Sequence, residues 1–192
     1  MSFDDPEAYG VGLPEEERIG DWMQSFLGGR FYPMDPRPDE IYLEDIAHAL
    51  SNLCRYGGHC ERFYSVAEHC VHTSHIVREG IEAEALMHDA PEAYIVDLPR
   101  PLKRSLPEYQ AVEAKWEVAI SKRFGLWHNI PAVKIADNQM LRIEAKVLMK
   151  DPPAEWFFGD LEEPTRVVQI ECWSPWAAER KFLARAAELG IK

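Results

Sequence analysis

The sequence predicts an all-α fold that carries one small β-hairpin near its amino terminus. Three observations point there. Apolar residues recur at helical spacing through most of the chain after residue 45, Ser65-Val66-Ala67-Glu68 has the form of a capping box, and Pro and Gly punctuate the periodic stretches where helices start and stop. At 192 residues, with no internal repeat or low-complexity stretch, the chain suits a single domain over residues 21–192. Residues 1–20, rich in Asp, Glu, Gly and Pro and without apolar periodicity, read as a peripheral arm.

Taken in order, Trp22 to Leu27 and Arg30 to Pro33 flank Gly28-Gly29, which predicts a hairpin with a two-residue turn. Asp35-Pro36-Arg37-Pro38 then breaks the chain. Ile46, Leu50, Leu53 and Cys54 predict a first helix that Gly57-Gly58 stops. Ser65 caps a second helix just before His69, its hydroxyl accepting from the Glu68 amide while the Glu68 carboxylate reaches back. A third helix is expected over about 82–94. A fourth, over about 108–124, lines up Val112, Trp116, Ala119 and Ile120 and ends at Gly125. Pro131 opens a fifth that runs to about Met149. Arg166 to Ile170 reads as a short strand, and Ser174-Pro175 opens a last helix with Phe182, Leu183 and Ala186 facing inward.

Composition narrows the function. A formal net charge of −12 disfavours a grip on a nucleic-acid polymer, which needs clustered Lys and Arg, and no apolar run approaches the roughly 20 residues of a membrane span. The acidic amino terminus lacks the basic and apolar parts of a secretory signal, so the cytoplasm is the expected compartment. Cys54, Cys60, Cys70 and Cys172 contain no C-x-x-C pair, and the expectation is reduced, packed thiols.

The chemistry centres on His88-Asp89, an imidazole and a carboxylate set in an apolar run. His69 shares a helix face with Val66, Thr73 and Ile76, and Asp137 lies on the stripe of Val133, Met140 and Leu141. Inward polar groups from separate helices can converge. Two imidazole nitrogens and two carboxylate oxygens suit one divalent ion of the Mn, Fe, Co, Ni or Zn type, with positions left open for water and substrate. Glu92, one helical turn after His88, can orient or deprotonate a water.

The pattern His69, His88-Asp89, Asp137 resembles the HD-domain phosphohydrolase superfamily. His88-Asp89-Ala90-Pro91-Glu92 followed by Asp97-Leu98-Pro99-Arg100-Pro101-Leu102-Lys103, with Ser65 to His69 and Ile135-Ala136-Asp137, is similar to its bacterial 5′-deoxynucleotidase branch. The likeness runs from about Ile46 to Met149 and extends to viral HD enzymes that remove all phosphates from dATP. It implies an HD-type helical bundle, metal ligands His69, His88, Asp89 and Asp137, and Glu92 with Asp97 acting on water and substrate. It also implies a deoxynucleotide substrate and a homodimer or larger assembly. Arg55-Tyr56 stands where that branch has an Arg-Trp pair holding the phosphate and the 2′ side of the sugar. Lys103 and His59 are further candidates for phosphate contact.

Three alternatives remain in view. A zinc module built from Cys54, His59, Cys60, His69, Cys70 and His72 lacks the short ligand pairs such sites favour. A cyclic-nucleotide phosphodiesterase of the same superfamily expects more histidines than the single downstream His128. A non-catalytic metal or nucleotide sensor is disfavoured by Glu92 and Asp97 beside a full ligand set.

Overall fold

The computed structural model describes residues 18–156, 164 and 166–192. Among them are a two-stranded antiparallel hairpin, β1 (Met23–Gln24) and β2 (Arg30–Phe31), and eight α-helices. The helices are α1 (Leu43–Asn52), α2 (Val66–Ile76), α3 (Glu82–Leu86), α4 (Glu92–Ile95), α5 (Arg100–Lys103), α6 (Pro107–Phe124), α7 (Pro131–Leu148) and α8 (Pro175–Glu188). The all-α expectation with one hairpin therefore holds. No helix among the described residues is long and apolar enough to cross a membrane.

The hairpin's connection differs from the two-residue turn read from Gly28-Gly29. Met23 pairs with Phe31 and Gln24 with Arg30, so Ser25 to Gly29 form a five-residue loop. Phe26 and Leu27 leave the strand because better partners lie beneath: Phe26 stacks on the His48 ring at 3.6 Å, and the Leu27 amide donates to Asp45 Oδ1 at 2.8 Å. Gly28, at φ +87°, makes that detour possible. Arg18, at the end of the expected arm, is anchored: it pairs with Asp35 and Glu40 and lies over the Tyr32 ring. On the strand side, Phe31 meets Tyr94 and Trp116 edge-on, and those two rings stack at 4.1 Å.

Helix α1 ends earlier than its apolar spacing suggests. Leu53 and Cys54 are extended, Cys54 bridges to Ser65, and the chain turns through a short 3-10 segment, Arg55–Gly58. Helix α2 begins there and is the centre of the molecule, packed by α1, α3, α7 and α8. Nine of its eleven residues are buried, so it is enclosed rather than amphipathic and its polar side chains must find partners inside. Thr73 and Ser74 return their hydroxyls to the backbone oxygens of His69 and Val71.

Ser65 caps α2 as expected, accepting from the Glu68 amide at 3.1 Å, but the reciprocal half of the capping box is not made. Glu68 turns away and accepts from the backbone amides of Glu171, Cys172 and Trp173 at 3.1, 3.0 and 2.6 Å. One buried carboxylate thus docks the segment that leads into α8. Arg166 to Ile170, expected as a strand, runs as irregular chain on the way to that anchor. Of the apolar run Trp156-Phe157-Phe158, the last two residues lie outside the described chain.

The main core joins Ile46, Leu50, Val66, Leu86, Trp116 and Phe182, and a smaller cluster of Ile76, Ala85, Val133 and Met140 ties α2 and α3 to α7. Helices α6, α7 and α8 follow their predicted spans, with Gly125 in the left-handed conformation at the end of α6 and Ser174 capping α8. Replacing Glu68 by Ala leaves three backbone donors without their acceptor, and the expected loss is about 2–4 kcal/mol in urea unfolding. Ser65→Ala, which removes one cap bond, is expected to cost only about 1 kcal/mol in the same measurement.

Candidate metal centre

Three parts of the fold supply the inward polar groups. His69 projects from the enclosed helix α2, Asp137 from the buried stripe of α7, and His88-Asp89 from a turn between α3 and α4. The single helix expected over 82–94 is interrupted there. Pro91 has no amide to donate to Met87 and its ring would crowd that carbonyl, so the chain tightens into turns with Ala90 N to Met87 O at 3.0 Å and Glu92 N to Asp89 O at 3.0 Å. The break swings both side chains of the dipeptide to one point, which a regular helix could not do for adjacent residues.

At that point four atoms face one another. His69 Nε2 lies 3.3 Å from His88 Nε2, 3.6 Å from Asp89 Oδ2 and 3.4 Å from Asp137 Oδ1, and His88 Nε2 lies 3.2 Å from Asp89 Oδ2. The other ring nitrogens are already committed. His88 Nδ1 is 2.8 Å from the Ala85 carbonyl, which can only accept, so Nδ1 carries the proton and Nε2 of the neutral ring presents a lone pair. His69 Nδ1 faces Glu144 Oε1 at 2.6 Å and is assigned in the same way. With both rings neutral the Nε2 lone pairs and the carboxylates repel, and either a bound cation or a proton on His88 relieves that repulsion. Ligand atoms of His69, His88 and Asp137 all lie within 4.8 Å of one another, as do those of Cys70, His88 and Asp89, so His88 is shared by two overlapping sets that could hold a metal ion.

The surroundings hold the set in place. Asp137 turns its second oxygen to Arg100 and Lys134, each at 3.1 Å, and keeps Oδ1 for the centre. Lys134 reaches that oxygen from one turn before on α7, and Arg100 arrives from α5. Glu144 is fully buried and receives four groups: His69 Nδ1, Tyr64 OH at 3.0 Å, Tyr56 OH at 2.8 Å and Arg55 Nε at 3.1 Å. Burial pushes its carboxyl up, but Arg55, His69 and the hydrogen bonds outweigh it and hold the group at about 2. The carboxylate and the ring it orients form the second layer typical of metal-bound histidine.

Around this centre the expected substrate groups divide. Arg55 is buried between Glu144 and Asp89, its Nη1 3.6 Å from Asp89 Oδ2. Glu92 is buried with its Oε2 unpaired, and burial, Asp89 and Asp97 all push its carboxyl upward. Asp97 is raised by burial as well, with Asp89 adding to the effect. It follows Val96, whose φ of 70° and ψ of 152° are costly for a β-branched residue. The Tyr109 hydroxyl holds the Val96 carbonyl at 2.6 Å. Lys103 pairs with Glu113 and lines a cavity of about 420 Å³ that His88 and Asp89 share with Trp127, His128 and Asn129. Two candidates lie differently from expectation. Tyr56 spends its hydroxyl on Glu144, and His59 is exposed and lines a separate cavity with Cys60, Met149 and Trp156.

Comparison with known proteins adds kinship. Over 169 residues the chain is 38% identical to the uncharacterized protein YfdR of Escherichia coli K12, covering 88% of this chain and 95% of that one. The chain belongs to the YfdR family. It is also 32% identical over 155 residues to an uncharacterized protein of Rhodobacter capsulatus, covering 72% of this chain and 79% of the relative. No family model matches the chain.

Two residues of this site escaped the sequence reading. Glu144 sits seven residues after Asp137, two turns along the same buried face, and that spacing was the available signal. Arg100 could not be found from periodicity, because its partner is 37 residues away on another helix.

Without an ion the ring of His88 is held well above its ordinary value: burial opposes protonation, but Asp89 outweighs it. Metal loading must then displace a proton. Calorimetric titration of Zn²⁺ or Mn²⁺ in buffers of different ionisation enthalpy is expected to show proton release at pH 7 and weaker binding as pH falls. Asp137→Ala is expected to lower bound metal, read by elemental analysis, by roughly 10- to 100-fold in affinity.

Proposed function

We propose that this chain is a metal-dependent phosphohydrolase that cleaves the 5′-phosphate ester of a deoxynucleotide, a monophosphate or a dATP-type triphosphate, and releases the deoxynucleoside. The observation that carries the reading is the convergence of His69, His88, Asp89 and Asp137 with both Nδ1 atoms tied back. The spacing of these residues, and of Glu92 and Asp97 after them, resembles that of the HD phosphohydrolases.

His69, His88, Asp89 and Asp137 would hold one divalent ion. Such an ion supplies water of lowered pKa and polarises a phosphoryl oxygen. Arg55 presents a guanidinium beside Asp89 whose planar donors suit phosphate oxygens, and Glu144 keeps it from swinging away. Glu92 is a buried carboxyl whose pKa is raised by burial, Asp89 and Asp97 and whose unpaired oxygen suits it to take and return a proton. Asp97 stands beside it to contact the sugar or assist the leaving oxygen. The 420 Å³ cavity next to His88 and Asp89 is of the size that receives small ligands and gives the nucleoside part a place.

An assay of ribo- and deoxynucleoside mono-, di- and triphosphates with Mn²⁺, Co²⁺ or Zn²⁺ is expected to release the nucleoside, with deoxynucleotides preferred. A panel with no turnover in the metal-loaded protein overturns the enzyme reading in favour of a sensor. Glu92→Gln is expected to cost about 10²–10⁴ in kcat while metal content stays, because a positioned acid or base contributes on that order. If Glu92 must be ionised to act, activity rises with pH through its raised pKa. The acid limb of the pH–rate profile then lies above that of an ordinary glutamate.

A further inference from the structure

Cys54 and Cys60 stand at the two ends of the turn that carries Arg55 and Tyr56, and their sulfurs touch at 3.5 Å. Both ends of that turn are fastened. Arg55 N donates to Tyr64 O at 2.9 Å beside the Cys54–Ser65 bridge, and Glu61 N donates to Leu148 O at 2.8 Å just past Cys60. The thiols are therefore neighbours by construction. Inside the turn Tyr56 and Gly57 both sit at φ 58°, so the segment is tightly wound.

The pair is also reachable. Cys60 lines the cavity of about 370 Å³ formed with His59, Met149 and Trp156, and Cys54 lies behind it. Burial and the contact with Cys54 raise the Cys60 thiol, whereas Cys70 is fully buried, outside that cavity, and its thiol is pushed up to about 11. No metal-type cluster among the described residues contains both Cys54 and Cys60, so their contact lacks the further ligands a metal needs. The five residues between them hid the pair from a search for C-x-x-C.

We infer that Cys54 and Cys60 form a reversible disulfide, made by exchange with a low-molecular-weight disulfide, that clamps the turn holding Arg55. The Cys60 thiolate attacks one sulfur of the reagent, whose S–S bond breaks and releases the first small thiolate. Cys54, as its thiolate, then attacks the Cys60 sulfur of the mixed disulfide and expels the second. Two electrons pass to the reagent, and the two protein thiol protons end on the small thiols released. Closing the sulfurs from 3.5 Å to the roughly 2.05 Å of a disulfide draws in the turn and with it the backbone of Arg55. That shift disturbs the guanidinium's bonds to Glu144 and Asp89.

The probe is excess 2-hydroxyethyl disulfide at mildly alkaline pH on the full chain, followed by removal of reagent. The expected product is about 2 Da lighter than the reduced protein, yields a peptide linking residues 54 and 60, and returns to the free thiols with dithiothreitol. Cys54→Ser is expected to stop at a mixed disulfide on Cys60, and Cys60→Ser to form neither product. All thiols remaining free, or a link through Cys70 or Cys172, overturns the inference. The functional arm rests on the phosphohydrolase reading: the oxidised protein is expected to lose at least tenfold in kcat/KM and the treated Cys60→Ser variant nothing. A mapped 54–60 link with unchanged activity overturns the clamp. Absence of activity in the reduced protein overturns only the phosphohydrolase reading, since the mapping needs no turnover.

Discussion

Four proton acceptors aimed at one buried spot are the constraint on which the rest of this structure depends. Where the imidazoles are neutral, they and the carboxylates 3.2–3.6 Å from them repel, and a proton on His88 or a bound cation relieves the cost. The fold holds them there with bonds made at the far side of each group: Ala85 O on His88, Glu144 on His69, and Arg100 with Lys134 on Asp137. Removing any of these frees a ring or carboxylate to rotate away from its neighbours. These supports keep the His/Asp groups where they could hold a cation.

Glu144 has the widest reach of these supports. It joins His69 to Arg55 through one carboxylate and takes up two tyrosine hydroxyls as well. The same group that orients the His69 ring also fixes the guanidinium beside Asp89, so the two are coupled through α7. A residue so connected is expected to be fully ionised, and the surrounding donors keep it so at about 2 despite complete burial.

Much of this was legible in the residues. Helices α6, α7 and α8 were written in long apolar periods with Pro at their starts, Gly just past α6 and α8 and Pro152-Pro153 past α7, and those signals are local. His69 and Asp137 could be placed inward from the apolar residues around them. What escaped was settled by tertiary partners. Glu68 abandons its capping box because three amides 103 to 105 residues away offer more than one local bond. Phe26 leaves its strand for the His48 ring. The helix expected across His88 was broken by Pro91, a signal present in the sequence but outweighed there by apolar spacing.

Charge explains why an acidic protein can nonetheless be read as handling an anion. Five carboxylates surround the centre: Asp89, Glu92, Asp97, Asp137 and Glu144. Lys103 is occupied by Glu113, which leaves Arg55, Arg100 and Lys134 against them and a local excess of negative charge that a proton on His88 reduces. A phosphate is repelled by that excess, and a divalent ion cancels it. The raised pKa of Glu92 removes part of the remaining negative charge whenever its carboxyl is protonated. An ion held by these residues would thus offset the local acidity in a chain whose net charge is already −12.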